Sequence, residues 1–477
     1  MRTTLVNISF AVVTFVIPNA DAQPASVAAP TKSVETNPSD KPPSSPTPTK
    51  LARSSVSRIV EALAADIAHI KGRALVVTAP LTSDTPAPRG TDLALLVATQ
   101  LAGRRAAGAR AFPKPATLTE ARLEARSGDV LVMLDIKIQS GKARVVADVF
   151  PVPRTVWARV RDPEPGPIAH TFQEAPIDAE IRTYLAPVAL TQLDVVRGQN
   201  FENDVLALGC TDLDADGAVE IISVSRRRVM TLRLRDGKVV PLRSRNWSDL
   251  SPLAPVPFRE PVGLAALVTR PSPEGEKRVF LDVGLSDRSK AVRLDGQLSI
   301  TTTLSGLPMG AGESSACMRM TPPWLVGPFL PCTADDAPMH LNLPGSFDAL
   351  ASASLVSSRG EGFVVVAARN DRGVVEVRDD AGHATTIDGA GAQLAIGDLD
   401  QDGEPEILSS LDVPSGATDA VVVRSWTNRT ASESSRPKET LRLPAAAGVH
   451  ALAVCPPDGP GRAAFVVATT DEIWVAR

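Results

Sequence analysis

The sequence predicts a mixed fold in two parts: a small amino-terminal α/β domain over residues 53–155, then an all-β propeller of six or seven blades over 200–477. Three observations predict it. Apolar residues recur at three- and four-residue steps from Val56 to Ile70 and lead into strand-like runs. From about residue 200, short apolar runs of small residues return repeatedly between Gly, Asp, Ser and Pro. Two near-identical Asp-rich loops, TDLDADGAVEII at 211–222 and GDLDQDGEPEIL at 397–408, follow equivalent runs.

The chain opens MRTTLVNISFAVVTFVIPNADAQP, with Arg2 as a minimal positive region, an apolar run from about Val6 to Ile17, and Ala20-Asp21-Ala22 as an A-x-A site. A secretory signal peptide over 1–22 is the expectation. No Cys follows that site, so a lipoprotein anchor is not indicated. Residues 23–52 are Pro, Ser, Thr, Ala and Lys with hardly a large apolar side chain. Such a stretch cannot bury enough surface to offset its ordering entropy, and it is expected to be a disordered tether.

The α/β domain is expected to begin with a helix carrying the stripe Val56, Ile59, Val60, Leu63, Ile67 and Ile70, followed by the buried strand ALVVTAPL at 74–81. A second helix is predicted across 90–108, capped by Thr91 or its neighbour and stopped by Gly, and a short third near TLTEARLEAR. VLVMLDIKIQSGKARVVADVFPVP then gives two strands around a Ser-Gly turn. Neither G-x-G-x-x-G nor a Walker loop follows the first strand, so this layer implies no nucleotide cofactor. Asp135 is a lone acid on a strand, with a solvent-facing or capping role. Residues 156–199, interrupted by Pro and Gly, are expected to be a connector.

The repeated texture beyond 200 carries the propeller expectation. LALGC, VGLAALVT, SACMRM, LASASLV, AQLAIGD and VHALAV open comparable units, and second and third runs such as FVVVAARN and GVVEVRDDAG follow in some of them. Units of about 40–50 residues built from short strands need neighbours to bury both faces. A β-sandwich would use short strands too, but the loop repeated after an equivalent strand favours blades.

In the two loops, Asp212, Asp214, Asp216 and Glu220, and again Asp398, Asp400, Asp402 and Glu406, occupy positions 1, 3, 5 and 9, with Gly217 and Gly403 at position 6. Alternate carboxylates around a tight turn can wrap one hard cation, and the backbone carbonyls of Ala218 and Glu404 are placed to join them. With no His or Cys in either loop, calcium fits and zinc does not. An EF-hand is excluded, because Ser223 and Ser409 stand where its closing Glu belongs and the flanks read as strands.

The wording D-L-D-x-D-G-x-x-E-[IL] resembles the calcium loop of FG-GAP (VCBS-type) repeats, the blade unit of integrin-α-like propellers and of many bacterial secreted proteins. That resemblance implies calcium held between strands of a blade in a structural role. GTDLALLVATQL partly matches the second helix of the α/β domains of TolB-type and curli-secretion-type envelope proteins, a fold resemblance that transfers no catalytic residue.

An exported chain can form disulfides, and four Cys allow three pairings. Setting VLALGC against HALAVC puts Cys210 and Cys455 at matching places in the first and last units, which are neighbours in a closed ring. Cys317 and Cys332 are then the local pair, with buried free thiols as the other possibility.

Lys+Arg total 50 against 54 Asp+Glu, a net charge of -4, and the isolated RRR at 226–228 makes no basic tract, so nucleic acid is not an expected partner. No transmembrane segment is expected in the mature chain. The five His form no H-x-H or H-E-x-x-H, and no G-x-S-x-G elbow appears. His450 is expected to be structural. Tyr184 is alone and the five Trp are scattered, so no aromatic sugar platform is advertised; Trp324 is the best candidate for an exposed anchor, with a packed core residue as its ordinary account.

The reading is a periplasmic or secreted, non-catalytic scaffold that uses calcium-stabilised blades to bind an envelope or extracellular protein or a surface glycan, within cell-envelope assembly as one version of it. The alternative is a secreted hydrolase acting on polysaccharide or lipid.

Overall fold

The computed structural model describes residues 54–477 except 106–107, 127–128, 154, 192, 236–237, 256–259, 272–276, 312–313, 322–323, 337–338, 340, 342, 344, 360, 415–416, 428–435 and 458–462. The expected signal peptide and tether lie outside the described residues, as does the side chain of Trp324.

The first helix, Ser55–Asp66, starts where Ser54 accepts a hydrogen bond from the Ser57 N–H and buries Val56, Ile59, Val60 and Leu63 on one face. Next in the chain is Ala74–Thr78, a strand buried at all five positions and paired in parallel with Val130–Gln139. That strand turns back into Lys142–Pro151 through Ser140 (φ 51°) and Gly141 (φ 75°), a two-residue turn whose positive φ values match the twist of the hairpin. The second helix is Gly90–Arg104. Thr91 lies inside its first turn, and no side chain caps it.

The layer does not stop at 155. Ala169–Pro176, inside the stretch expected to be connector, adds an antiparallel strand beyond Lys142–Pro151, and the short helix Ala179–Arg182 follows, capped by Asp178. The connector's other end is also structured, because Val195–Gln199 pairs with Glu472–Ala476 at the carboxyl end of the chain.

From Val205 the chain is a succession of antiparallel meanders. Four sheets have four strands each, and a fifth has seven, made of a three-strand meander over 307–331 and a four-strand one over 346–387. The two are joined by just two residue pairs, Leu325 with Phe347 and Val326 with Ser346. Six meanders result, and their first strands form a closed ring: Val205–Thr211, Gly263–Pro271, Leu307–Ala311, Ser346–Val356, Ala390–Gly397 and Ala451–Val454 each touch the next, and the last touches the first. Core clusters lie between neighbouring sheets. One unites Val205, Cys210 and Ile221 with Ala451, Val466 and Val475, so the first and last meanders share an interior. This is a propeller-like β fold, built because each small sheet is apolar on both faces and is covered only by its neighbours.

Closure is double. Val195–Gln199, from before the first meander, supplies the outer strand of the last one, and Cys210 bonds Cys455 across the same seam, 245 residues away in sequence. Cys317 bonds Cys332 within one meander. Both pairings are those expected from the repeat alignment. The described residues cluster as one compact unit. Among the described residues, no helix is long and apolar enough to cross a membrane.

Candidate metal centre

Each acidic loop connects the first strand of its meander to the second. Thr211 pairs with Glu220 at one neck and Gly397 with Glu406 at the other, so the loops occupy equivalent places in the first and fifth meanders. Their backbones superimpose in detail. Ala215 and Gln401 both have φ 60°, and Gly217 and Gly403 have φ 87° and 86°, a left-handed conformation that suits Gly.

Internal hydrogen bonds repeat as well. Gly217 N–H donates to Asp212 at 2.9 Å and Gly403 N–H to Asp398 at 3.0 Å. Ala218 and Glu404 donate their N–H groups to Asp216 and Asp402. The buried Glu220 and Glu406 each accept from the Leu two positions into the loop, Leu213 or Leu399, at 2.7 Å. These bonds fix Asp212, Asp216 and Glu220, and Asp398, Asp402 and Glu406, before any ion arrives. Asp212, Asp214, Asp216 and Glu220 can each offer an oxygen within 4.8 Å of the others, as can Asp398, Asp400 and Glu406. Asp402 is outside the second group; its carboxylate is turned to the Glu404 N–H.

The surroundings of the two groups differ. In the first, Arg233 pairs with Asp216 through two nitrogens at 2.8 and 3.1 Å, contacts Glu220, and lies 3.7 Å from Asp214. Arg243 adds a 3.0 Å bond to Asp214. Hydrogen bonding from Arg233 holds the Asp216 carboxyl below its usual range, and Asp216 in turn raises Arg233.

In the second group, Ser425 donates its hydroxyl to Glu406 at 2.8 Å. Burial pushes Asp398 up to about 8, with repulsion from Asp402 and Asp400 adding to it. Burial and Asp402 raise Asp400 to about 6, and burial with Asp400 raises Glu406 well above the usual range. One oxygen of Asp398 is buried with no hydrogen-bond donor, as are one oxygen of Asp214 and one of Glu220 in the first loop, where the Arg233 guanidinium stands beside them. Crowded, desolvated carboxylate oxygens with a donor missing are what a hard divalent cation relieves, so the second loop fits such an ion.

A further cation stands at the loop's edge. Arg182, buried on the short helix of the α/β layer, brings Nε to 3.4 Å from the Asp400 carbonyl oxygen. Gly403 is packed under the same helix: a Cβ there would lie 3.0 Å from the Ala179 side chain and 2.5 Å from the Ser358 nitrogen.

Sequence reasoning missed the three arginines. Motif spacing names the loop residues but not what the second and third strands place beside them. The histidines also gained partners invisible in the sequence: His170 lies 2.6 Å from Asp148, His383 2.7 Å from Asp379, and His450 3.1 Å from the Thr470 hydroxyl. Asp135 makes a half-exposed ion pair with Lys137.

No family model matches the chain, and no curated protein matches it. Among solved structures it is similar to TolB from Acinetobacter baumannii, at 11% identity over 85% of this chain and 94% of that one, with a TM-score of 0.24. It is also similar to the WD40 domain of Toxoplasma gondii coronin (8% identity, 73% and 70% covered, TM-score 0.23) and to a glucose dehydrogenase (12%, 60% and 99%, 0.31). Likeness at these scores carries no functional inference.

Proposed function

We propose that the chain is an exported, non-catalytic scaffold whose six meanders are the blades of an FG-GAP-like propeller, stabilised by calcium in the acidic loop 398–406. The observation that carries this reading is the second loop: three carboxylates converge from a pre-bonded turn, they are desolvated, and one oxygen lacks a donor. The donor set is oxygen alone, which suits calcium. Calcium supplies positive charge there and no chemistry; Asp398, Asp400 and Glu406 hold it.

The α/β layer, extended from the expected 53–155 to about 185, is the docking part. Leu123 (83%), Val156 (75%), Trp157 (76%) and Val160 (68%) are exposed on that layer, and Arg122, beside Leu123, donates to the Pro165 carbonyl at 2.7 Å. Large apolar side chains left in water in one region suit a protein partner. Two disulfides suit an oxidising compartment, periplasmic or extracellular; an envelope protein is the partner class this favours, with surface glycan second.

The test is cross-linking and mass spectrometry on full-length protein captured from its native envelope, with calcium and with chelator, beside Trp157→Asp. A partner cross-linked near 123–160 and lost in the variant supports the scaffold reading. Capture that is identical in wild type and variant removes the assigned docking face.

A further inference from the structure

The two acidic loops share backbone, spacing and internal hydrogen bonds, yet the strands beside them carry opposite chemistry. In the first meander Leu232 pairs with Ile221, which places Arg233 one step on, opposite Glu220. In the fifth, Glu406 pairs with Ser425. Arg233 and Ser425 therefore occupy the same position. The comparison extends to the next strand, because both meanders carry a bulge at the same point: Thr231 pairs with Arg243 just before it, and Val423 with Leu441. Arg243 thus stands where the second loop's meander has Leu441.

Both substitutions act in the same direction. The guanidinium of Arg233 pairs with Asp216, contacts Glu220 and stands 3.7 Å from Asp214, and its side chain is 11% exposed. Arg243 takes the remaining face of Asp214. Charge-assisted, two-pronged bonds of this kind are strong and directional, and a guanidinium keeps its charge at any working pH. A divalent ion entering the loop would have to displace Arg233 from three carboxylates and leave its charge facing the incoming ion.

We infer that the loop 212–220 does not take a divalent cation, because Arg233, assisted by Arg243, is its built-in cation, and that of the two acidic loops only 398–406 binds calcium. This rests on the proposal that the second loop takes calcium. The motif is one, but its charge is balanced from inside the chain in the first meander and from solution in the fifth.

The test is calcium stoichiometry on the full, disulfide-intact chain, by equilibrium dialysis with metal analysis at saturating calcium. Wild type is expected to hold one ion and Asp400→Asn none, whereas Asp214→Asn keeps one. The reciprocal exchange decides it: Arg233→Ser is expected to hold two ions and Ser425→Arg none. Ser425→Arg leaves the first meander intact, so the inference stays open to refutation if Arg233→Ser fails to fold. Two ions in wild type, one of them lost in Asp214→Asn, overturns the inference and leaves the calcium reading standing. No ion in wild type overturns both.

Discussion

Arg182 approaches Asp400 across the junction between the α/β layer and the ring, its Nε 3.4 Å from the Asp400 carbonyl oxygen. The side chain comes from a four-residue helix whose start is fixed by Asp178, which accepts from the Ile181 N–H and also from the Ser55 N–H of the first helix. One carboxylate thereby ties the first helix to the residue that reaches the acidic loop. Burial lowers the Arg182 guanidinium, while Asp400 and Asp398 offset part of that.

Replacing this arginine tests the tie. Arg182→Ala is expected to destabilise the protein by about 1.5–3 kcal/mol, the range for a buried hydrogen bond from a charged group. Hydrogen exchange is expected to rise at 179–185 and 398–406 together. Exchange rising in only one of the two segments would show that the arginine does not couple them.

Calcium is expected to stabilise the folded chain, because an ion bound only by the native state adds about 2.7 kcal/mol at a concentration one hundred times its Kd. Thermal melts with calcium and with chelator read this directly. The shift disappears in Asp400→Asn if 398–406 is where the ion acts; a shift of unchanged size in that variant moves the ion elsewhere.

Without calcium, stability acquires a pH dependence of unusual sign. Asp398 at about 8 and Asp400 at about 6 both lie above their ordinary 3.8. Between roughly pH 4 and 8 the native state then holds protons that the unfolded chain has released, so stability falls as pH rises through that window. Melting in chelator is expected to drop from pH 5 to pH 8, and saturating calcium to flatten the drop by holding the carboxylates ionised. A chelator profile without a fall would remove the carboxylate crowding as its cause.

The seam disulfide is the fourth test. Cys210→Ser with Cys455→Ser frees a loop of 245 residues' separation, and loss of a native crosslink of this kind costs about 2–5 kcal/mol. The denaturation midpoint is expected to fall correspondingly, with a smaller fall for Cys317→Ser with Cys332→Ser, which closes a separation of 15.

What could be seen in the sequence was whatever depends on short-range spacing. Asp398, Asp400, Gly403 and Glu406 sit within one turn, so their order alone specified the loop, and the helical step of Val56, Ile59, Val60 and Leu63 specified a buried face. The Cys210–Cys455 pairing emerged because two similar strands could be aligned. Partners fixed by distant pairing were hidden. Ala169–Pro176 is a polar, half-exposed edge strand flanked by prolines, and it passed for a connector. VVRGQ at 195–199 has no strand signature of its own until Glu472–Ala476 lies beside it. The meander over 307–331 shares a sheet with its successor, which blurs the repeat. Arg233 acquires meaning only through cross-strand register, which motif reading does not contain.

The strand Val195–Gln199 is made before the first meander, and its partner Glu472–Ala476 only with the sixth. During synthesis Val195–Gln199 must therefore wait unpaired until Glu472–Ala476 emerges, and Cys210 waits with it for Cys455. A chain lacking Glu472–Ala476 would leave that edge open for good, with exposed backbone donors and acceptors ready to pair with another copy. Completion of the ring thus depends on Glu472–Ala476 reaching a strand made long before it.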